Sequence, residues 1–233
     1  MAPLRHAPAC AHADRGELGH GRAAPGRRGG LGPRDRAARW GAGAGSGPGE
    51  FNAPGGVAVA ANGDLFVVDF YNQRVQHLRA DGGFIKQWGD TGEIGIWAGE
   101  FNYPTDVALA ADGTLYVADG YADRVQVFSS AGGFLRKWGG PFAINIFGPF
   151  NGWFATVTGI TLDLQGNVFV ADFYNNRIQK FSPDGTFLTA FGEPGKGPRQ
   201  FNHPIAVAVA DDGTIFVADF GNNRIQKWRP KAQ

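Results

Sequence analysis

Acid-base or metal chemistry needs several side chains that converge, and the glycine- and aromatic-rich part of this chain, residues 46–233, holds only two histidines, His77 and His203. The segment repeats one unit four times, so a residue found in every copy reads as structural and a residue found in one copy as a candidate for chemistry. Asp106 stands where the other copies have Gly56, Gly159 and Ala206, and His203 stands where they have Ala53, Tyr103 and Thr156. Both fall at the start of a strand expected to line the centre of the fold. A carboxylate and an imidazole meeting there would hold a divalent metal or act as a general base, the equipment of a lyase or a lactone hydrolase. Such centres take several ligands, and no second acid adjoins Asp106 in sequence, so neither a metal site nor a cofactor is expected from spacing. His77 shares its position with Val127, Lys180 and Lys227 and reads as an ordinary strand residue, while Asp163, opposite Ala60, Ala110 and Ala210, reads as a turn cap. No Gly-rich stretch has phosphate-loop spacing and no Gly-x-Ser-x-Gly elbow occurs. The single cysteine, Cys10, cannot form an intramolecular disulfide.

The elements that would position these residues follow from the repeat. Its anchor is an Asp with an Arg five residues on: Asp69 and Arg74, Asp119 and Arg124, Asp172 and Arg177, Asp219 and Arg224, with Asn72, Asn175 and Asn222 between them in three copies. Ahead of each anchor lie two short apolar runs separated by Asn62-Gly63, Asp112-Gly113, Gln165-Gly166 or Asp212-Gly213, the signature of a hairpin whose glycine takes positive φ. After the first anchor, Arg74 to Leu78, a turn at Asp81-Gly82-Gly83 and Phe84 to Gly89 supply two more strands. The unit is a four-stranded antiparallel meander, strands a to d. Continuous apolar content in strand b, as in Leu115-Tyr116-Val117-Ala118, predicts burial on both faces. Units of this length stacked face to face predict an all-β fold, a β-propeller of four-stranded blades. The Asp/Arg pairs, present in every blade, read as ion pairs within blades, with the Asn capping its own loop.

The shared pattern, visible in Phe51-Asn52-Ala53-Pro54, Leu115-Tyr116-Val117-Ala118-Asp119 and Asn175-Asn176-Arg177-Ile178-Gln179-Lys180-Phe181, resembles the NHL repeat over about residues 36 to 229. The resemblance implies a propeller. For activity it implies only a range: protein- or RNA-binding platforms, receptor-kinase sensor domains, substrate-recognition modules of ubiquitin ligases, and a peptidyl-amidating lyase. Phe154-Ala155-Thr156-Val157 departs from the first-turn pattern, and the family usually has about six blades where four repeats are seen here, at about 51–90, 101–140, 154–192 and 201–228. The fourth copy stops after strand c at Trp228, and Arg39-Trp40-Gly41 matches Lys137-Trp138-Gly139, so residues 36–41 are expected to supply the missing strand d. The alternative is that the four repeats belong to a six-bladed ring with blades upstream.

Residues 1–35 are expected to be a disordered or mis-framed low-complexity leader, because residues 1–45 contain no Val, Ile, Phe or Tyr with which to build a core. That same stretch holds eight arginines against three acids, whereas residues 46–233 hold fourteen Lys/Arg against eighteen Asp/Glu. The repeats are therefore mildly acidic, and nucleic acid is not the expected partner. No apolar window has the length of a membrane span or of a signal peptide, so membrane insertion is not expected and compartment stays unassigned.

The d-to-a loops differ most between copies, and two are rich in aromatic residues: Trp97 in one, Phe147 and Trp153 in the next. In a meander blade these loops and the b-to-c loops emerge at the same end, which puts Tyr71, Tyr121 and Tyr174 on that face. An apolar surface rimmed with tyrosine predicts a protein or peptide ligand. The expected function is a non-catalytic binding scaffold. A channel-mouth enzyme using a divalent metal at Asp106 and His203, or an RNA-binding domain, are its alternatives.

Overall fold

The computed structural model describes residues 40–90 and 92–229. The leader, residues 1–35, therefore lies outside the described residues, as does most of the segment expected to close the last blade. The first blade comprises β1 (Pro54–Val59), β2 (Leu65–Asp69), β3 (Arg74–Leu78) and β4 (Phe84–Trp88), each strand paired with the next. The second is β5 (Pro104–Leu109), β6 (Leu115–Asp119), β7 (Arg124–Phe128) and β8 (Phe134–Trp138). The third is β9 (Val157–Leu162), β10 (Val168–Asp172), β11 (Arg177–Phe181) and β12 (Phe187–Phe191). A two-residue parallel pair, β13 (Glu193–Pro194) and β14 (Gln200–Phe201), precedes the last blade, β15 (Pro204–Val209), β16 (Ile215–Asp219) and β17 (Arg224–Trp228). Helix among the described residues is limited to single turns of 3-10 geometry. The fold is all-β, antiparallel blades arranged as a β-propeller.

Local chemistry accounts for the meanders. At the first hairpin of each blade Gly63, Gly113, Gly166 and Gly213 have φ of +87, +83, +78 and +76°, a region other residues enter at a cost. The b and c strands are in strict register from Asp69 opposite Arg74 to Leu65 opposite Leu78, and likewise in the other three blades, which places every anchor Asp across from its Arg.

The core lies between blades. Phe66, Val68 and Val75 of the first blade meet Val107, Leu115 and Val117 of the second. Tyr116, Ala118 and Val125 meet Ile160, Val168 and Val170 of the third, and Phe169, Ala171 and Ile178 meet Val207, Ile215 and Val217 of the fourth. Consecutive a strands β1, β5, β9 and β15 pack side by side at the inner edge.

Among the described residues the sheet of β15, β16 and β17 has three strands, and neither Trp40 nor Gly41 lies in a strand; residues 36–39 of the expected closing strand lie outside the described residues. Trp40 instead packs on the first blade, its indole Nε1 donating to Ala80 O at 3.2 Å and its ring lying over Gly82 in the c-to-d turn. Trp88 and Trp138, which end strand d in their blades, sit the same way on the following blade, Trp88 Nε1 donating to Gly132 O and Trp138 lying over Gly185. The sequence match between Trp40 and Trp138 thus reports this forward contact, and pairing with β17 is a separate matter.

Candidate functional site: a pinned aromatic loop face

Each anchor Asp and Arg belongs to a larger bracket that fastens the preceding d-to-a loop. In the second blade Arg124 Nε donates to Asp119 Oδ2 at 2.7 Å, while its Nη2 donates to Glu100 O at 2.7 Å and Trp97 O at 3.1 Å, and its Nη1 to Ile96 O and Ala143 O. Gln126, two residues beyond the Arg, donates to Glu100 O at 2.6 Å and Asp119 Oδ2 at 3.0 Å, and accepts from Gly99 N at 3.0 Å. Asp119 Oδ1 accepts from Asn102 N at 2.7 Å. The third blade repeats the pattern: Arg177 reaches Asp172, Pro149 O, Phe150 O and Trp153 O, and Gln179 reaches Trp153 O, Asp172 and Gly152 N. Arg74 with Gln76 and Arg224 with Gln226 do the same for Ser46 to Glu50 and Lys196 to Gln200. A guanidinium presents several donors in a fixed fork, which suits it to collect carbonyls from a loop that has no ladder partner.

The asparagines behave differently from a local cap. Asn72, Asn175 and Asn222 each donate to the anchor Asp and to a carbonyl of the d-to-a loop, Gly45 O, Gly148 O and Gly195 O, all at 2.8 Å. The glutamines carry as much of the bracket as the arginines, and sequence reading assigned them no role although Gln76, Gln126, Gln179 and Gln226 recur two residues after each Arg.

The brackets hold the loops by backbone groups, and several of the loop side chains are exposed. Trp97 is 67% exposed and Phe147 53%. Phe142 and Phe150 are also exposed, and Phe150 meets the half-buried Trp153 edge to face at 5.0 Å. Beside this loop a shallow pocket of about 470 Å³ is lined by Lys137, Trp138, Phe142, Asn151 and Trp153 among others.

Nearer the inner edge the structure gathers the tyrosines into a band. Tyr103 stands 6.1 Å from Tyr71 and 5.2 Å from Tyr121, ring centre to ring centre, with Phe70 at 5.1 Å. Tyr174 stands 5.6 Å from His203, and Phe173 lies against both. Burial, with the neighbouring phenols of Tyr174, Tyr103 and Tyr71, pushes the Tyr121 hydroxyl up to about 12, so it stays a neutral donor and acceptor. Tyr103 was passed over in the sequence because it occupies the same turn position as Ala53, Thr156 and His203; these four share left-handed φ of +49 to +62°. A side-chain carbonyl or carboxylate of the preceding blade caps three of those turns: Gln73 Oε1 accepts from Tyr103 N at 2.5 Å, Asp123 Oδ1 from Thr156 N at 2.6 Å and Asn176 Oδ1 from His203 N at 2.8 Å.

Asp106 and His203 are engaged separately. The Asp106 carboxylate accepts from Val107 N at 2.9 Å and, across the blade boundary, from Ile160 N at 3.0 Å; burial raises its pKa to about 6 against those two hydrogen bonds. The His203 ring lies tilted against Phe173 and edge to face with Tyr174. Among the described residues no group of three or more His, Cys, Asp or Glu side chains is placed to hold a metal ion. Among the described residues no helix is long and apolar enough to cross a membrane.

Four bracketed meanders around a shared inner edge define a β-propeller of repeated blades, and comparison with known proteins specifies which kind. The NHL repeat model matches residues 51–78, 101–128, 154–181 and 201–228, and the chain belongs to the NHL-repeat family. Over 63 residues it is 41% identical to protein brain tumor of Drosophila melanogaster, a match that covers 27% of this chain and 6% of that protein. Among solved structures it resembles virginiamycin B lyase from Staphylococcus aureus, with a TM-score of 0.55, 18% identity, and coverage of 78% of this chain and 57% of the lyase. The WD40 propeller domain of Doa1 gives a TM-score of 0.55 at 15% identity, over 76% of this chain and 51% of that one. At these identities the structural likenesses establish the fold.

Proposed function

We propose that this NHL-repeat propeller is a binding scaffold that takes a protein or peptide ligand on its loop face, through Trp97, Phe147 and Trp153 on the outer loops and Tyr71, Tyr121 and Tyr174 nearer the centre. One observation carries the reading: the aromatic loops are fastened through their backbone carbonyls by brackets anchored on buried aspartates, Asp119 and Asp172, while Trp97 and Phe147 remain exposed. Pinning such loops lowers the entropy lost when a partner immobilises them, and aromatic anchors supply much of the binding energy at interfaces. Tyrosine hydroxyls beside these rings suit the polar groups of a peptide backbone. The scaffold reading needs no cofactor. The metal-dependent lyase or hydrolase reading has less support, because Asp106 and His203 would have to leave their separate partners to share an ion. RNA binding is disfavoured by the acidic balance of residues 46–233.

The test is to select peptides from a random library on the purified chain and map the binding footprint by hydrogen exchange. Protection concentrated in residues 92–99, 142–153 and the Tyr71, Tyr121 and Tyr174 loops supports the reading. A footprint confined to the opposite end of the blades overturns it. Tight binding of zinc or manganese together with loss on Asp106→Ala would favour the enzyme alternative, and salt-sensitive capture of single-stranded RNA the nucleic-acid one.

A further inference from the structure

The two ends of the blade series carry the two halves of one contact. On the side that meets the preceding blade, Val107, Leu115 and Val117 of the second blade are 0 to 4% exposed, and Ile160, Val168 and Val170 of the third are equally buried. The corresponding residues of the first blade are Val57, Leu65 and Val67, and there Val57 is 57% exposed and the other two are half-buried. On the side that meets the following blade, Phe66, Val68 and Val75 are at most 7% exposed, as are Tyr116, Ala118 and Val125. The corresponding residues of the last blade are Phe216, Ala218 and Ile225, and Ile225 is 66% exposed. The polar lock between blades is split in the same way. Gln73, Asp123 and Asn176 each cap a turn of the next blade. Asn223, their equivalent in the last blade, and Ala53 N, the equivalent donor in the first, make no such bond among the described residues.

We infer that copies of this chain associate head to tail, the last blade of one seated on the first blade of another. A second copy is the occupant because it offers, on one molecule, the apolar residues and the hydrogen-bond partner that each free face lacks, in the arrangement the chain already uses three times within itself. Contiguous apolar faces of this kind are seldom left to water. The contact is heterologous, so it closes into a ring when the rotation between copies permits and otherwise runs on to longer assemblies.

The experiment is light scattering coupled to size exclusion on the 233-residue chain across a micromolar concentration series, with Val57→Glu and Ile225→Lys variants. The chain is expected at multiples of 24.8 kDa. Each variant alone is expected as a monomer that melts like wild-type chain diluted until it is monomeric, since both side chains are exposed in the single chain and only the stabilisation supplied by assembly is lost, and an equimolar mixture of the two is expected to reassemble, because it retains one intact first face and one intact last face. A wild-type chain that stays monomeric throughout overturns the inference. So does assembly that survives one of the two substitutions, which would mean like faces pairing with like, or a mixture that fails to reassemble. If either variant melts below wild-type chain diluted until it is monomeric, Val59→Glu and Phe216→Lys replace the pair and carry the same expectations.

Discussion

The brackets and the loops they hold obey opposite rules. Asp, Arg and Gln occur at the same positions in all four blades and make the same bonds, whereas the loops they fasten run from the glycine-rich Gly41 to Gly49, through Ile94 to Trp97 and Phe142 to Trp153, to the polar Gly195 to Gln200. A bracket that grips only backbone carbonyls and N–H groups of the loop places little demand on loop side chains. It therefore lets two loops carry large exposed aromatics while their neighbours carry none, on frames that are otherwise interchangeable. Repetition marks what holds the molecule together, and variation marks the surface proposed to recognise a partner.

The comparison breaks most readily at a buried bracket. Asp119→Ala strands Arg124, which is fully buried at 0% exposure, and is expected to cost about 3 to 5 kcal/mol, as breaking a buried pair does. Asp219→Ala should cost less, since Arg224 is 31% exposed and water can replace part of the lost partner. Urea denaturation of both variants checks the order; equal losses would mean that burial does not set the strength of the bracket.

Gln126→Ala comes next. It leaves Gly99 N without an acceptor and withdraws a donor from Glu100 O and Asp119, with an expected cost of about 1 to 3 kcal/mol. Hydrogen exchange should speed up in residues 96–100 before it does in β6 and β7. Exchange that rises first in the strands would show that Gln126 serves the sheet and not the loop.

The effect expected at Asp106 is confined to a window of pH. Its folded pKa of about 6 lies above the ordinary 3.8, so between these values the folded chain holds a proton that the unfolded chain has released, and stability contributed by this group grows as pH falls from above 6 toward 4. Asp106→Asn lacks that gain. The melting temperature of the wild type minus that of the variant should rise as pH is lowered through 6, and a flat difference would mean that the carboxylate titrates like an exposed one.

The meanders were legible in the sequence because their determinants are local: a glycine at each hairpin turn and an Asp five residues from its Arg fold within one strand pair. The brackets were half legible. The Asp/Arg pairing spans one hairpin, but the Ile96, Trp97 and Glu100 carbonyls taken by Arg124 and Gln126 lie in a loop more than twenty residues earlier, and nothing in the spacing points there. The same distance hid the caps from Gln73 to Tyr103 and from Asn176 to His203. Comparing copies identified Asp106 and His203 as singular, yet singularity locates a position and not the direction of its side chain, and the two turned to different neighbours. Trp40 was recognised by its likeness to Trp138, and the partner it packs on is set by the next blade's turn.

The division between frame and recognition surface is tested most directly by replacing Trp97, Phe147 and Trp153 together with serine and measuring, on one preparation, the thermal melt and the affinity for a selected peptide ligand. The blade cores do not include these side chains, and truncating a buried interface aromatic typically costs about 2 kcal/mol or more. The account predicts a melt that overlays the wild type and binding weakened by at least about a hundredfold, counting no more than half of that combined cost. A lowered melt, or binding at wild-type strength, would contradict it.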